Sequence, residues 1–228
     1  MELLPIVRMT ADDYIYKVIV PMYAEFDAAH KEDHAHTVID QSMRLLDSMQ
    51  QWIHNQDDVD EQWLVPVDRE LLKMAAACHD LGLVNGRDRH HLDSGIIIRN
   101  DADLRQWFSE DEIETIAQAA EDHRASGGSE PRSIYGKLVA EADRVIDSET
   151  IIRRTIQFGF KHYPEFEREA HIERAVSHLK EKYGRGGYLK LWIPWSDNAS
   201  RLHALQDVIA DDNAIYAEVD RAIEELSK

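Results

Sequence analysis

The chain has 228 residues, 43% of them hydrophobic, with a formal net charge of −18 and a pI near 5.0. That is enough apolar material for a sizeable core in one domain, and too much for a disordered chain. The acidic balance disfavours long nucleic acid and anionic membrane surfaces. It leaves a small phosphorylated ligand open, because a metal ion dominates the field of its own site.

Ten glycines and six prolines, with no internal repeat, favour helices over a turn-rich β fold. Residues 34–54 place Val38, Ile39, Met43, Leu45, Leu46, Met49 and Trp52 at roughly helical spacing. A helix over 68–79 follows, with Asp68 as its N-cap. Ser109 and Glu112 form a capping box that opens a helix over about 110–123. Pro131, or the residues just after it, open another that runs to about Ile146. Ser148 caps the next, which ends near Gly159, and Pro164 starts one that stops near Tyr183-Gly184. A last helical region covers about 197–226. Residues 55–67, 124–130 and 184–196 read as irregular, with at most a short extended piece at 187–193. The expected fold is all-α and compact, with roughly eight to ten helices. Cys78, the single cysteine, reads as a small core residue in a reducing compartment. With no long apolar stretch and no signal-peptide core, a cytoplasmic location is expected.

Twelve histidines are many for this length. His54, His162, His171, His178 and His203 lie in charged or amphipathic helical contexts and read as surface or structural residues. The others cluster. The sharpest segment is Ala75-Ala76-Ala77-Cys78-His79-Asp80-Leu81-Gly82, an apolar helix that ends in His-Asp and breaks at Gly82. Burying an ionised Asp there is costly unless something compensates, and a divalent metal does so well. Successive helical residues point about 100° apart, so both side chains converge only on a metal at the helix end. A hydrogen-bonded His-Asp pair without metal fits the same segment. Asp33-His34-Ala35-His36 opens the 34–54 helix, where Asp33 also reads as a plain N-cap. Asp143 follows the core stretch Leu138-Val139-Ala140 but also pairs plausibly with Arg144. With His91 and His123 added, His34, His79, Asp80, His91, His123 and Asp143 make four imidazoles and two carboxylates. Such a set holds one ion tightly, or two that share Asp80.

This order of residues resembles the HD-domain superfamily of metal-dependent phosphohydrolases: a His, an adjacent His-Asp, then a distant Asp. FDAAHKEDHAHTVIDQSMRLL looks like the first metal helix, AAACHDLGLVNGRDRHHLDSG the central motif, and EDHRASGGSEPRSIYGKLVAEADRVID the region of the last ligand. The resemblance covers about residues 22–147, and the tail KYGRGGYLKLWIPWSDN is similar to a bacterial subgroup of that superfamily. It implies a single domain over 1–228, with an HD core at about 22–147 and a C-terminal helical extension over about 148–228. Two-metal members carry two further histidines, and His91 and His123 fall in those places. His91 is preferred to His90 because Gly95 lies four residues on, as in related members. His34 is preferred to His36 by the Asp-His-x-x-x-Val match.

The implied reaction is hydrolysis of a small phosphoester or nucleotide phosphate by metal-activated water, with Asp80 bridging when two ions are present. The cofactor is one or two divalent ions, with Mn, Fe, Zn, Ni, Co and Mg all admissible. Arg87, Arg124, Arg132 and Lys137 are candidates to hold phosphate, and Arg124 and Lys137 join Asp80 in the expected catalytic set. Glu121 or Asp122 is a candidate orienter or general base. The expected partner is a small phosphorylated molecule, with oligomer contacts open at 184–196. The rival readings are a regulatory module that keeps its metal or nucleotide without turnover, and a di-iron oxygenase.

Overall fold

A computed structural model describes residues 9–27, 30–124 and 129–226. It is all-α, with no strand among the described residues. The first helical run joins α1 (Ala11–Tyr14), a π turn (Ile15–Ile19), α2 (Val20–Met22) and a 3-10 turn (Tyr23–Glu25). Then come α3 (Glu32–His54), α4 (Arg69–Cys78), α5 (His90–Asn100), α6 (Glu110–Asp122) and α7 (Ile134–Ala142). They are followed by α8 (Ser148–His162), α9 (Arg168–Tyr183), α10 (Asp197–Ala210) and α11 (Asp212–Leu226). Counting the first run once, ten helices stand among the described residues.

Side-chain caps decide where several helices begin. Asp68 Oδ1 accepts the Leu71 N–H at 2.9 Å and opens α4. Ser109 and Glu112 complete the capping box of α6, with the Glu112 carboxylate accepting the Ser109 N–H at 2.7 Å. Ser133, just after Pro131, caps α7 where expected, and that helix ends at Ala142 rather than Ile146. Elsewhere a better cap displaces the expected start. Asp147, one residue before Ser148, caps α8 through the Thr150 N–H at 2.8 Å. The helix runs past Gly159, whose missing side chain makes room for the Arg174 guanidinium. Helix α9 starts at Arg168 rather than at Pro164, and the 197–226 region is two helices broken at Asp211.

The chain forms two compact units, Met1–Asp143 and Arg144–Lys228. In the first unit α4 is the central rod. Leu71, Leu72, Met74, Ala75, Ala76, Ala77 and Cys78 are all buried, and α3, α6 and α7 pack around it. Three consecutive alanines let those helices approach closely, which carries the C-terminal end of α4 into the interior. In the second unit α8, α9, α10 and α11 pack on one another. Asn198 there accepts the Ile146 N–H and donates to the Arg144 carbonyl.

Candidate metal centre

The rod ends where the chemistry begins. His79 caps α4, and both His79 and Asp80 are almost wholly buried. His79 Nδ1 lies 2.8 Å from the Ala76 carbonyl oxygen. A carbonyl only accepts, so Nδ1 carries the proton and the Nε2 lone pair points into the site. His34, in the first turn of α3, brings its Nε2 to 3.2 Å from His79 Nε2 and 3.5 Å from Asp80 Oδ2. Asp143, the C-cap of α7, places Oδ1 3.2 Å from His34 Nε2 and 3.8 Å from His79 Nε2.

The other oxygen of Asp80 faces a second pair. Asp80 Oδ1 is 3.4 Å from His90 Nε2 and 3.4 Å from His123 Nε2, and those two nitrogens are 3.2 Å apart. His123 Nδ1 donates to the Ala120 carbonyl at 2.5 Å and His90 Nδ1 to the Arg87 carbonyl at 2.8 Å. Three histidines thus use one device. Each gives its Nδ1–H to the carbonyl three residues back, which fixes the ring and frees Nε2.

His90, not His91, completes this group, which corrects the sequence expectation. Helix α5 starts at His90, so the next side chain is turned by about 100° around the axis. His91 points elsewhere, and its Nδ1 has no hydrogen-bond partner among the described residues. Burial and the Arg124 guanidinium push its imidazole down to about 4. Gly95, the signal that favoured His91, serves packing instead. A Cβ there would lie 2.7 Å from Glu121 Cγ. His36 stands outside the cluster, stacked on Tyr16.

The donor set calls for positive charge. With Nδ1 protonated on His90 and His123, two neutral rings would aim lone pairs at each other across 3.2 Å beside a buried carboxylate. A nitrogen pair at that spacing subtends about 100° at an ion about 2.0–2.1 Å from each, close to tetrahedral or octahedral angles. The imidazole and carboxylate chemistry therefore fits a divalent metal at His34, His79 and Asp80, and a second at Asp80, His90 and His123. Titration behaviour agrees. Burial works against a charged His34 ring, yet the Asp143 and Asp80 carboxylates outweigh it and raise the ring to about 9. Burial likewise opposes ionisation of Asp143, but hydrogen bonding to His34 and the nearby histidines lower it to about 2. Metal-free protein at pH 7 thus carries a proton on His34 that an incoming ion must displace. Apparent Mn²⁺ affinity is expected to rise roughly tenfold per pH unit for each proton displaced, levelling above about pH 9. Calorimetric titrations from pH 6 to 9, in buffers of different ionisation enthalpy, check this. A pH-independent affinity with no proton release would contradict it.

The four basic candidates divide. Arg87 Nη1 reaches Asp27 at 3.2 Å, and its carbonyl holds His90. Arg124 Nη1 donates to the Asp88 carbonyl at 2.6 Å and its charge helps to depress both His90 and His91. Arg124 therefore lies near the second histidine pair, whereas the Arg87 guanidinium is turned to Asp27. Arg132 instead clamps Asp122 and Glu121, at 2.9 and 2.6 Å. Lys137 donates to Gln62 and Glu130 and sits over the Trp63 ring, in a cavity of about 650 Å³. None of these contacts is with Asp80 or its histidines. Glu121 is also held by Arg99 at 2.5 Å, so Glu121 and Asp122 are engaged as struts behind His123. Two residues that carry no sequence signal do touch the site. Ser94 Oγ accepts the Gly82 N–H at 2.8 Å, and the Tyr23 hydroxyl faces the His79-Asp80 turn. Both are ordinary core residues by composition, and only the fold brings them there.

An all-α unit with a buried His/Asp cluster suited to divalent metal defines the class. The chain belongs to the HD-domain family, whose model matches residues 32–146. That span contains His34, His79, Asp80, His90, His123 and Asp143 and excludes Tyr23. The family is broadly one of metal-dependent phosphohydrolases. No curated protein and no solved structure matches the chain significantly.

Proposed function

We propose that this protein is a phosphohydrolase that uses one or two divalent ions to hydrolyse a small phosphorylated substrate, a nucleotide or another phosphoester. The observation that carries this reading is the split duty of Asp80, whose two oxygens each face their own pair of imidazoles. Bound there, divalent ions would supply Lewis-acid polarisation of a phosphoryl oxygen and bring the pKa of water toward about 7. The chain's own residues do the rest. His34, His79, Asp80 and Asp143 hold the first position, and Asp80, His90 and His123 the second. Arg124, near the second pair, and Arg87, whose carbonyl holds His90, carry guanidinium groups suited to planar contact with phosphoryl oxygens. The net charge of −18 disfavours long polyanions and supports a small substrate. Among the described residues no helix is long and apolar enough to cross a membrane, in keeping with a cytoplasmic enzyme.

Elemental analysis of freshly purified protein, paired with a panel of nucleotides and phosphoesters, tests the reading. One to two divalent ions per chain and phosphate release are expected, both lost in Asp80→Ala. Full metal content with no turnover across the panel would favour a regulatory module. Iron with substrate-dependent oxygen uptake would favour an oxygenase.

A further inference from the structure

We infer that Tyr23 is a positioning residue of the metal centre, its hydroxyl setting the turn that makes His79 and Asp80 converge. The inference rests on the metal-centre reading and extends it to the N-terminal helical run, outside the matched span 32–146.

Adjacent residues of a continuing helix point about 100° apart, and their N–H groups bond to carbonyls four residues back. After Cys78 that pattern is replaced. The Ala76 carbonyl takes the Nδ1–H of His79 at 2.8 Å. The Tyr23 hydroxyl donates to the Ala77 carbonyl at 2.8 Å and accepts the Asp80 N–H at 3.2 Å. One side-chain group thus satisfies an orphan carbonyl and an orphan amide at the end of α4. Freed from the helix, Asp80 adopts φ −108° and ψ 8°. Its Oδ2 then lies 3.2 Å from His79 Nε2, so neighbours in sequence become neighbours at one point in space. The brace is rigid. Tyr23 is fully buried, with its ring against Phe26 and its hydroxyl 3.4 Å from His79 Nδ1. Removing only the hydroxyl leaves the ring in place and two buried backbone groups without their partner.

The test compares Tyr23→Phe with Tyr135→Phe. Tyr135 is a matched control, because its hydroxyl accepts the Asp68 N–H at 2.8 Å at the opposite end of the same helix. Tyr23→Phe is expected to weaken Mn²⁺ binding about 10–100-fold, the usual effect of losing a group that orients a ligand. It should also shift the visible absorption of the Co²⁺-loaded protein. Tyr135→Phe should leave both readouts as in the wild type. Wild-type affinity and an unchanged Co²⁺ spectrum in Tyr23→Phe would overturn the inference. If the wild type binds neither ion, the metal-centre reading fails and this one with it. Should Tyr23→Phe not fold, hydrogen exchange at the wild-type Asp80 amide decides. Protection like that of the α4 amides supports the brace, and loop-like exchange overturns it.

Discussion

Asp80→Ala is expected to abolish metal binding at both positions together, whereas His123→Ala removes only the second. The asymmetry follows from geometry. Among the described residues Asp80 is the one carboxylate within 3.5 Å of all four imidazole nitrogens, those of His34, His79, His90 and His123. Losing it removes a direct donor from each position, so the loss should exceed the roughly 10–100-fold seen when an orienting partner is lost. Metal per chain after exhaustive dialysis is the measurement. Near-zero content in Asp80→Ala beside roughly half content in His123→Ala is the expected pair, and equal losses would contradict the shared-carboxylate arrangement. A second readout needs no metal. His34 is held at about 9 partly by Asp80, so without that carboxylate its ring should titrate lower by NMR.

Gly82→Ala should unseat the second position while sparing the first. A Cβ on Gly82 would sit 2.5 Å from the Ser94 backbone nitrogen and closer still to the His90 carbonyl oxygen. Both obstacles are backbone, so the clash cannot be relieved by a rotamer change. The start of α5 must move, and His90 moves with it. Overpacking of this kind costs about 1–3 kcal/mol, and a backbone clash belongs at the upper end. The unfolding midpoint should fall by roughly 6–12 °C. Mn²⁺ titration of the variant should show one retained site where the wild type shows two. A variant with wild-type melting and two intact sites would refute the close approach of α5 to this turn.

Much of this arrangement could be read in the sequence because its cues are local. The run of alanines before His79-Asp80 announces a helix thin enough to be surrounded, and Ser109 with Glu112 marks where α6 opens. His34, His79, Asp80 and His123 could be grouped because each stands at an expected helix end, and Asp143 because it follows the core stretch Leu138-Val139-Ala140. What stayed hidden depends on helix phase and on long-range contact. The choice between His90 and His91 turns on which residue begins α5, and no strong cap fixes that point. Gly95 misled because its cause, the Glu121 side chain packed against it, lies 26 residues away. Asp147 displaced Ser148 as the cap of α8 because its carboxylate, one residue earlier, accepts the Thr150 N–H. Tyr23 could not be found at all from its neighbours, because its partners are 54 to 57 positions downstream.

The position of Asp143 has a topological consequence. It is the last residue of the first unit, and His34 stands in the first turn of α3, so their contact closes a loop of roughly 110 residues, the length at which a covalent cross-link is worth about 4–5 kcal/mol of chain entropy. An ion held by both would act as a reversible clasp on that loop, made of coordination bonds instead of sulfur. Chelation would then do more than silence a reaction. It would return the slack to the chain and lower the resistance of the whole first unit to unfolding.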